Sequence, residues 1–190
     1  MNIKAKAQFM SNDLDLIAQV RQGKQTAFGT LVGRYEKAVR GTVLGMLGHT
    51  AEAEDVAQEV FIRFYKSIHD FRAESSLKTY LTRIAINLSL NELKKRKRQQ
   101  ERIVPMQREN ENIIQLEDRS ADLSRKDTRQ LIDCALQMLS EEFRAVLVLR
   151  LIDGYSVKET ADILQLPQGT VASRLARGQL KMRTLINQLG

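Results

Sequence analysis

"SVKETADILQLPQGTVASRLARGQLKMR", Ser156–Arg183, decides how this chain is read. Ser156 and Glu159 stand three apart, the spacing at which a serine and a glutamate close reciprocal hydrogen bonds around a helix N-terminus. Val157, Ala161 and Leu164 then recur at helical intervals. Gln165-Leu166-Pro167 predicts a short turn into a second helix, whose first turn tolerates proline because no backbone bond is lost there. In that second helix Val171 and Leu175 pack back on the first, and Ala161 is small where the two must approach. Left to face outward are Gln168, Thr170, Ala172, Ser173, Arg174, Ala176, Arg177 and Lys181. Arg174, Arg177, Lys181 and Arg183 give residues 165–183 one sign of charge, and nothing acidic follows Asp162. Two short helices joined by a tight turn, the second basic, predict a helix-turn-helix. Arginine forks take guanine edges or phosphates, and serine and threonine take either. A solvated basic face would explain the charge alone; cap, turn, small residue and charge together favour DNA.

The whole chain has 190 residues, 43% of them hydrophobic, which suits one domain or two small ones. A formal charge of +7 favours a polyanionic partner, nucleic acid or an acidic membrane surface, without choosing between them. One cysteine, Cys134, excludes an internal disulfide and a thiol cluster for zinc, and it reads as core. His49 and His69 are far apart. These counts fit a cytoplasmic protein without cofactor or metal. No apolar run is long enough to span a bilayer, so no membrane insertion is expected. The first residues have cations but no apolar core behind them, unlike a signal peptide, and residues 1–12 read as a flexible extension.

Working back toward the N-terminus, nearly every segment has a helical period and none reads as a strand, so the predicted fold is all-α. Asp13 is placed to cap a first helix with Leu14, Ile17 and Val20 on its apolar face, stopped near Gly23. Phe28, Leu31, Val32 and Tyr35, then Val39, Val43 and Met46, mark a second, ended by Gly48. Thr50 caps a third, with Glu52, Glu54 and Asp55 at its positive end and Ala57, Phe61, Phe64 and Ile68 inward. Ser76 caps a fourth, which buries Leu77, Leu81, Ile84 and Leu88 and runs into the five cations Lys94–Arg98. Residues 99–127 are polar, of mixed charge, and carry Pro105; they read as a flexible linker between domains at 13–98 and 128–190. In the second domain, Leu131, Ala135, Met138 and Leu139 mark one helix, and Phe143, Val146, Leu147 and Leu151 the next, ended at Asp153-Gly154.

The fourth helix carries a second constellation. Arg83, Asn87, Asn91 and Lys94 recur opposite or beside its apolar stripe, a polar ridge suited to base edges and phosphates. The loop before it offers Phe71, Arg72, Ser75, Ser76, Lys78 and Tyr80, a mixture that can hold an unstacked base. On composition alone a merely solvated surface is an equal reading.

Three stretches, "AEDVAQEVFI", "FRAESSLKTYLTRIAINL" and "GTVASRLARG", resemble, in order and separation, signatures of bacterial RNA polymerase sigma factors of the extracytoplasmic-function group. The resemblance runs from about residue 13 to the end. It implies a non-enzymatic initiation factor that binds core RNA polymerase, directs it to promoters and helps melt them. It implies that Asp55, Gln58, Glu59, Phe61 and Ile62 face the clamp of the largest polymerase subunit, with the flap region of the second subunit a further contact. Arg83, Asn87 and Asn91, with Lys94 beyond, would read the minus-ten element, and the 71–78 loop with Tyr80 would capture a flipped non-template base. Gln168, Thr170, Ser173, Arg174, Arg177 and Lys181 would read the minus-thirty-five element. An anti-sigma factor is implied as a partner that holds the protein inactive until a signal releases it.

The chain departs from the family at Tyr80, where tryptophan is usual, and at Ala172, Ala176, Gln179 and Ser140, so its upstream element is expected to differ or to be held by fewer phosphate contacts. A stand-alone repressor would account for the C-terminal helices but not for the Arg/Asn ridge and its cation run. A nucleic-acid enzyme would need Glu52, Asp55 and Glu59 to hold a metal, yet these read better as charges at a helix N-terminus.

Overall fold

The structure, a computed structural model, describes residues 3–103 and 125–189, with side chains from residue 12 to 101 and from 128 to 189. All regular structure among these residues is helical. In the first unit α1 spans Ile3–Arg21, α2 Gln25–Leu47, α3 Ala51–Ser67 and α4 Leu77–Ile103. In the second, α5 spans Arg125–Met138, α6 Glu141–Leu147, α7 Val157–Leu164 and α8 Gln168–Leu189. Residues of the proposed linker between 104 and 124 lie outside the described set, as do the first two.

Most helix ends form where the sequence places them. Thr50 Oγ1 accepts from the Ala53 amide and opens α3. Ser76 Oγ accepts from the Thr79 amide at 3.1 Å at the head of α4. Ser156 and Glu159 close the reciprocal pair that opens α7. Gly23 and Gly48 take positive φ where α1 and α2 stop. Asp13 differs: α1 is under way from Ile3, so Asp13 is an interior residue and not a cap. Its carboxylate is buried and accepts from Arg34 and from the Tyr35 hydroxyl, which ties α1 to α2. Burial, then the bond to Asp13, pushes the Tyr35 phenol far up.

α2, α3 and α4 enclose an aromatic centre in which Phe64, fully buried, meets Phe28, Phe71 and Tyr80 with ring centroids 6.0–6.3 Å apart. Burying each such ring is worth about 1.5–3 kcal/mol. In the second unit α8 lies against α6, α5 and α7. Gly178 lets α8 approach Phe143 and Leu147; an added Cβ would meet both at 3.4 Å.

One helix departs from the sequence reading. After Leu147 the α6 helix widens into a π-helical turn over Val148–Ile152, and the Asp153 amide donates to the Val148 carbonyl at 3.0 Å. The wider turn shifts the angular positions that follow. Val148 and Leu149 become fully buried, whereas Leu151, expected inside, is 56% exposed.

The two units share a core. Val148, Leu149, Tyr155 and Ile163 from the second join Val43, Met46 and Leu81 from the first in one apolar cluster. Arg144, only 6% exposed, seals the seam. It donates to the Met46 carbonyl at the end of α2 (2.7 Å), to the Leu139 carbonyl past the end of α5 (2.8 Å), and to the carbonyl and side-chain oxygen of Gln137.

Candidate nucleic-acid interface

α7 and α8 form the predicted helix-turn-helix. The turn is made by Gln165 in the left-handed region (φ 53), and the amides of Gln165 and Leu166 both donate to the Ala161 carbonyl. Val171 is fully buried with Val146 and Ala161, and Leu175 is packed beside them, as the spacing requires. Gln168, Ala172, Ala176 and Arg177 lie exposed along α8. Arg177 folds back on its own helix, donating to the Ser173 carbonyl and hydroxyl at 3.3 Å. Thr170 is half-buried, and its carbonyl accepts from the Ser173 hydroxyl.

The six residues expected to face the upstream element are not equivalent. Arg174 is ion-paired with Glu142 of α6 at 2.8 Å, and Lys181 sits over the Phe143 ring, 4.8 Å from its centroid. Both are drawn toward the body of the second unit. Gln168, Thr170, Ser173 and Arg177 are left as the group at the exposed end of α8. Sequence spacing missed the Glu142 pairing because the partner comes from another helix.

On α4 the ridge is partly open. Asn87, Asn91 and Lys94 are exposed. Arg83 is half-buried, its Nη2 donating to the Asp162 carbonyl of α7 at 3.3 Å while its Nε is buried without a partner. Lys78 donates to the Asp153 carbonyl and lies 5.0 Å from the Tyr155 ring centroid.

In the preceding loop Phe71 is 8% exposed and edge-on to Tyr80, with centroids 5.0 Å apart. Tyr80 is itself half-buried and shares a hydrogen bond with Ser67 at 3.0 Å. The two rings floor the loop and are not an open platform. Arg21 fixes it from behind, donating to the carbonyls of Ile68 and Phe71. Arg72 and Glu74 are exposed, and Ser75 and Ser76 are half-buried. Ala73 is held at φ 56, a left-handed conformation that costs a non-glycine residue about 1–2 kcal/mol and clusters at ligand-holding loops. Asp13, Leu14, Ile17, Phe71, Ala73 and Ser75 line most of a shallow, open depression between this loop and α1. The contribution of α1 was invisible to motif reading, since no motif residue lies on it.

On α3, Asp55, Gln58 and Ile62 are exposed, while Glu59 pairs with Arg63 on its own helix. Phe61 is 9% exposed and belongs to the core, so its ring is turned away from any partner. Tyr65, 48% exposed, stands on α3 one turn after Ile62 and supplies the aromatic surface that Phe61 does not.

Residues 31–99 match sigma-70 region 2, and residues 129–182 match sigma-70 region 4. The extracytoplasmic-function sigma factor SigW of Bacillus subtilis is 33% identical over 182 residues, covering 91% of this chain and 96% of SigW. The chain belongs to the sigma-70 family.

Within that family it falls in the extracytoplasmic-function group, whose members are transcription initiation factors and not enzymes. The sigma-H factor of Pseudomonas aeruginosa is 32% identical over 173 residues, 88% of this chain and 90% of that protein. Among solved structures, the sigma factor RpoE of Bartonella quintana in complex with the anti-sigma factor NepR matches with a TM-score of 0.65 and 25% identity, covering 84% of this chain and 96% of RpoE. CnrH, in complex with the cytosolic domain of CnrY, shares the fold with a TM-score of 0.65 at 23% identity, over 93% of this chain and 98% of CnrH. The region 2 match contains α3, the loop and most of α4, and the region 4 match contains the helix-turn-helix. No helix among the described residues of this sigma factor is long and apolar enough to cross a membrane.

Proposed function

We propose that this sigma factor uses α3 to grip core RNA polymerase, α4 with its preceding loop to hold the minus-ten element, and α8 to read the minus-thirty-five element. The observation that carries the reading is the exposed row Asn87, Asn91 and Lys94 along the helix that follows a loop strained at Ala73. Asparagine amides match base edges, and the cations that follow match phosphates. A base drawn from the non-template strand would be held between the loop and α1, with Arg72 on its phosphate and the Ser75 and Ser76 hydroxyls on its edge. Extruding a base costs a few kcal/mol, and a pocket that accepts only the extruded form offsets this, so strand capture drives melting.

Polymerase contact falls to Asp55, Gln58 and Ile62, with Tyr65 beside them, against the clamp of the largest subunit; the second unit meets the flap region. Upstream recognition falls to Gln168, Thr170, Ser173 and Arg177, while Arg174 and Lys181 hold α8 in place and reach phosphates only if their present partners are exchanged. The complex that RpoE forms with the anti-sigma factor NepR supports a comparable protein inhibitor here, acting in the cytoplasm until a signal removes it.

Run-off transcription with purified core polymerase on a library of genomic promoters tests the reading. Start sites that appear only when the chain is added are expected, together with their loss on duplex but not pre-melted templates for Asn87→Ala/Asn91→Ala. Equal loss on both templates would refute the strand-capture role.

A further inference from the structure

The loop between α3 and α4 holds its shape with little backbone help. Residues 71–75 make no backbone–backbone hydrogen bond to any other described residue. Its floor is set by the Phe71 ring, edge-on to Phe64 and Tyr80. Its far end is tied by Ser76, whose hydroxyl accepts from the Thr79 amide at 3.1 Å and shares a hydrogen bond with the Thr79 hydroxyl at 2.8 Å. Among the described residues, one side chain from outside grips the chain before the loop and at its start: Arg21, the last residue of α1. Its Nε and Nη2 donate to the Ile68 carbonyl at 3.0 and 2.8 Å, and Nη2 donates again to the Phe71 carbonyl at 2.6 Å.

Each of these bonds has a physical reason. Ile68 closes α3, so its carbonyl carries part of the negative end of that helix, where a cation is favoured. The Phe71 carbonyl stands two residues before Ala73, which is held at φ 56. A strained residue persists only where its surroundings over-determine it. Here the Arg21 fork and the buried Phe71 ring fix the chain before Ala73, and the Ser76 cap fixes the chain after it. The planar guanidinium offers two donors in one plane to two carbonyls; an ammonium on a flexible stem does not.

We propose that Arg21 is the positioning residue for strand capture: its fork between the end of α3 and the Phe71 carbonyl keeps residues 71–76 in the shape that receives an unstacked base. This rests on the assignment of that loop as the base holder. Two of the three guanidinium nitrogens are committed to the chain at Ile68 and Phe71, so Arg21 acts on a captured base through the loop and not by touching it. A loop that must be ordered as its ligand arrives weakens binding by the cost of that ordering, and a loop held beforehand does not. If the loop keeps its shape about a tenth of the time without Arg21, its apparent affinity for the extruded base falls about tenfold.

The test uses the full chain, its Arg21→Ala and Arg21→Lys variants, and Arg72→Ala/Ser75→Ala as a control on the loop itself, each checked for retained helix by circular dichroism. Loop order is read first, in the free chain, as the rate of trypsin cleavage after Arg72, scored by mass spectrometry against cleavage after Arg63 within α3. A rise of about tenfold after Arg72 alone is expected for Arg21→Ala, since cleavage follows the population of the released loop. An unchanged rate would overturn the proposal. Promoter opening is read second, with holoenzyme reconstituted from core polymerase, on a duplex template and on the same template pre-melted. Arg21→Ala is expected to open the duplex about tenfold less well, with core binding and the pre-melted template unaffected, and Arg21→Lys to fall between. Equal loss on both templates, or loss of core binding, would make Arg21 a merely structural residue and overturn its positioning role. Full activity with lysine would overturn the fork. If the loop control loses opening while Arg21→Ala does not, the proposal fails and the base-holding assignment stands; if neither loses it, that assignment fails as well.

Discussion

Replacing Arg144 by methionine should unfold this protein more readily than the loss of almost any surface charge. The guanidinium is 6% exposed, and desolvation pushes it down to about 10 from 12.5, so it stays charged at neutral pH but is held there against a penalty of about 3 kcal/mol. Its partners are oxygens at the negative ends of two helices: the Met46 carbonyl at the close of α2, and Gln137 and Leu139 at the close of α5. Hydrogen bonds to a charged group are worth about 1.5–3 kcal/mol each, so four of them outweigh the penalty even at the low end. Methionine removes the charge, fills most of the volume and leaves those oxygens without their donor. A net loss of about 3–5 kcal/mol follows, in line with removing one member of a buried polar network. Arg144→Lys keeps the charge but lacks the planar fork, and should lose about half as much. Urea unfolding at pH 7, analysed with a common slope, measures both. A loss below about 1 kcal/mol for the methionine variant would refute the reasoning, since it would mean that the oxygens find water at no cost.

Asp153 should give the packed state a pH dependence. Burial pushes its carboxyl up to about 6, opposed by the Thr42 hydroxyl and Lys78. The folded value lies above the ordinary one, so its stabilising contribution is complete below about pH 4 and is lost as pH rises through 6. Between pH 4.5 and 7 the wild type should lose about 2 kcal/mol relative to Asp153→Asn, in urea titrations run in parallel; a constant difference would sink the idea. Ser156→Ala should cost about 1 kcal/mol by removing the cap of α7, without altering polymerase binding in a pull-down. Arg177→Ala should weaken upstream recognition by about 1–3 kcal/mol on the preferred sequence, and an equal loss on every sequence would assign it to phosphate instead. Gln165→Gly should raise the melting temperature by a few degrees, because glycine removes the left-handed penalty of about 1 kcal/mol at the turn.

What the sequence made legible was local. The capping pair at Ser156 and Glu159, the Thr50 and Ser76 caps, and the inward Val171 and Ala161 are all set by contacts within a few residues, so spacing reveals them. Where distant segments meet, it failed. An arginine in the middle of "EEFRAVL" gives no sign that it will be buried against the end of α2. Phe71 shares a motif with exposed neighbours, and only the aromatic centre built by four separate segments shows that its ring turns inward, whereas Phe61 is buried as its helical spacing requires. Gly45 carries no signal in the sequence, yet an added Cβ there would stand 2.9 Å from Val148 Cγ2. Arg174 could be recognised as a cation of the right helix, but not as one already claimed by Glu142.

The π-turn at Val148–Ile152 makes chain length itself a carrier of information. It is a helix with one residue too many, and each residue of an ordinary helix advances the chain by about 100° and 1.5 Å. Everything before it is phased to α2 through Arg144 and Val148, and everything after it carries Asp153, Tyr155 and the helix-turn-helix. Excising the exposed Leu151 would therefore rewind the second half by that angle, re-aiming Asp153 and Tyr155 away from their hydrogen-bond partners Thr42 and Thr82 with every interacting side chain still present. A deletion that changes no chemistry would then act more strongly than most substitutions, because what it edits is the dihedral phase between two surfaces.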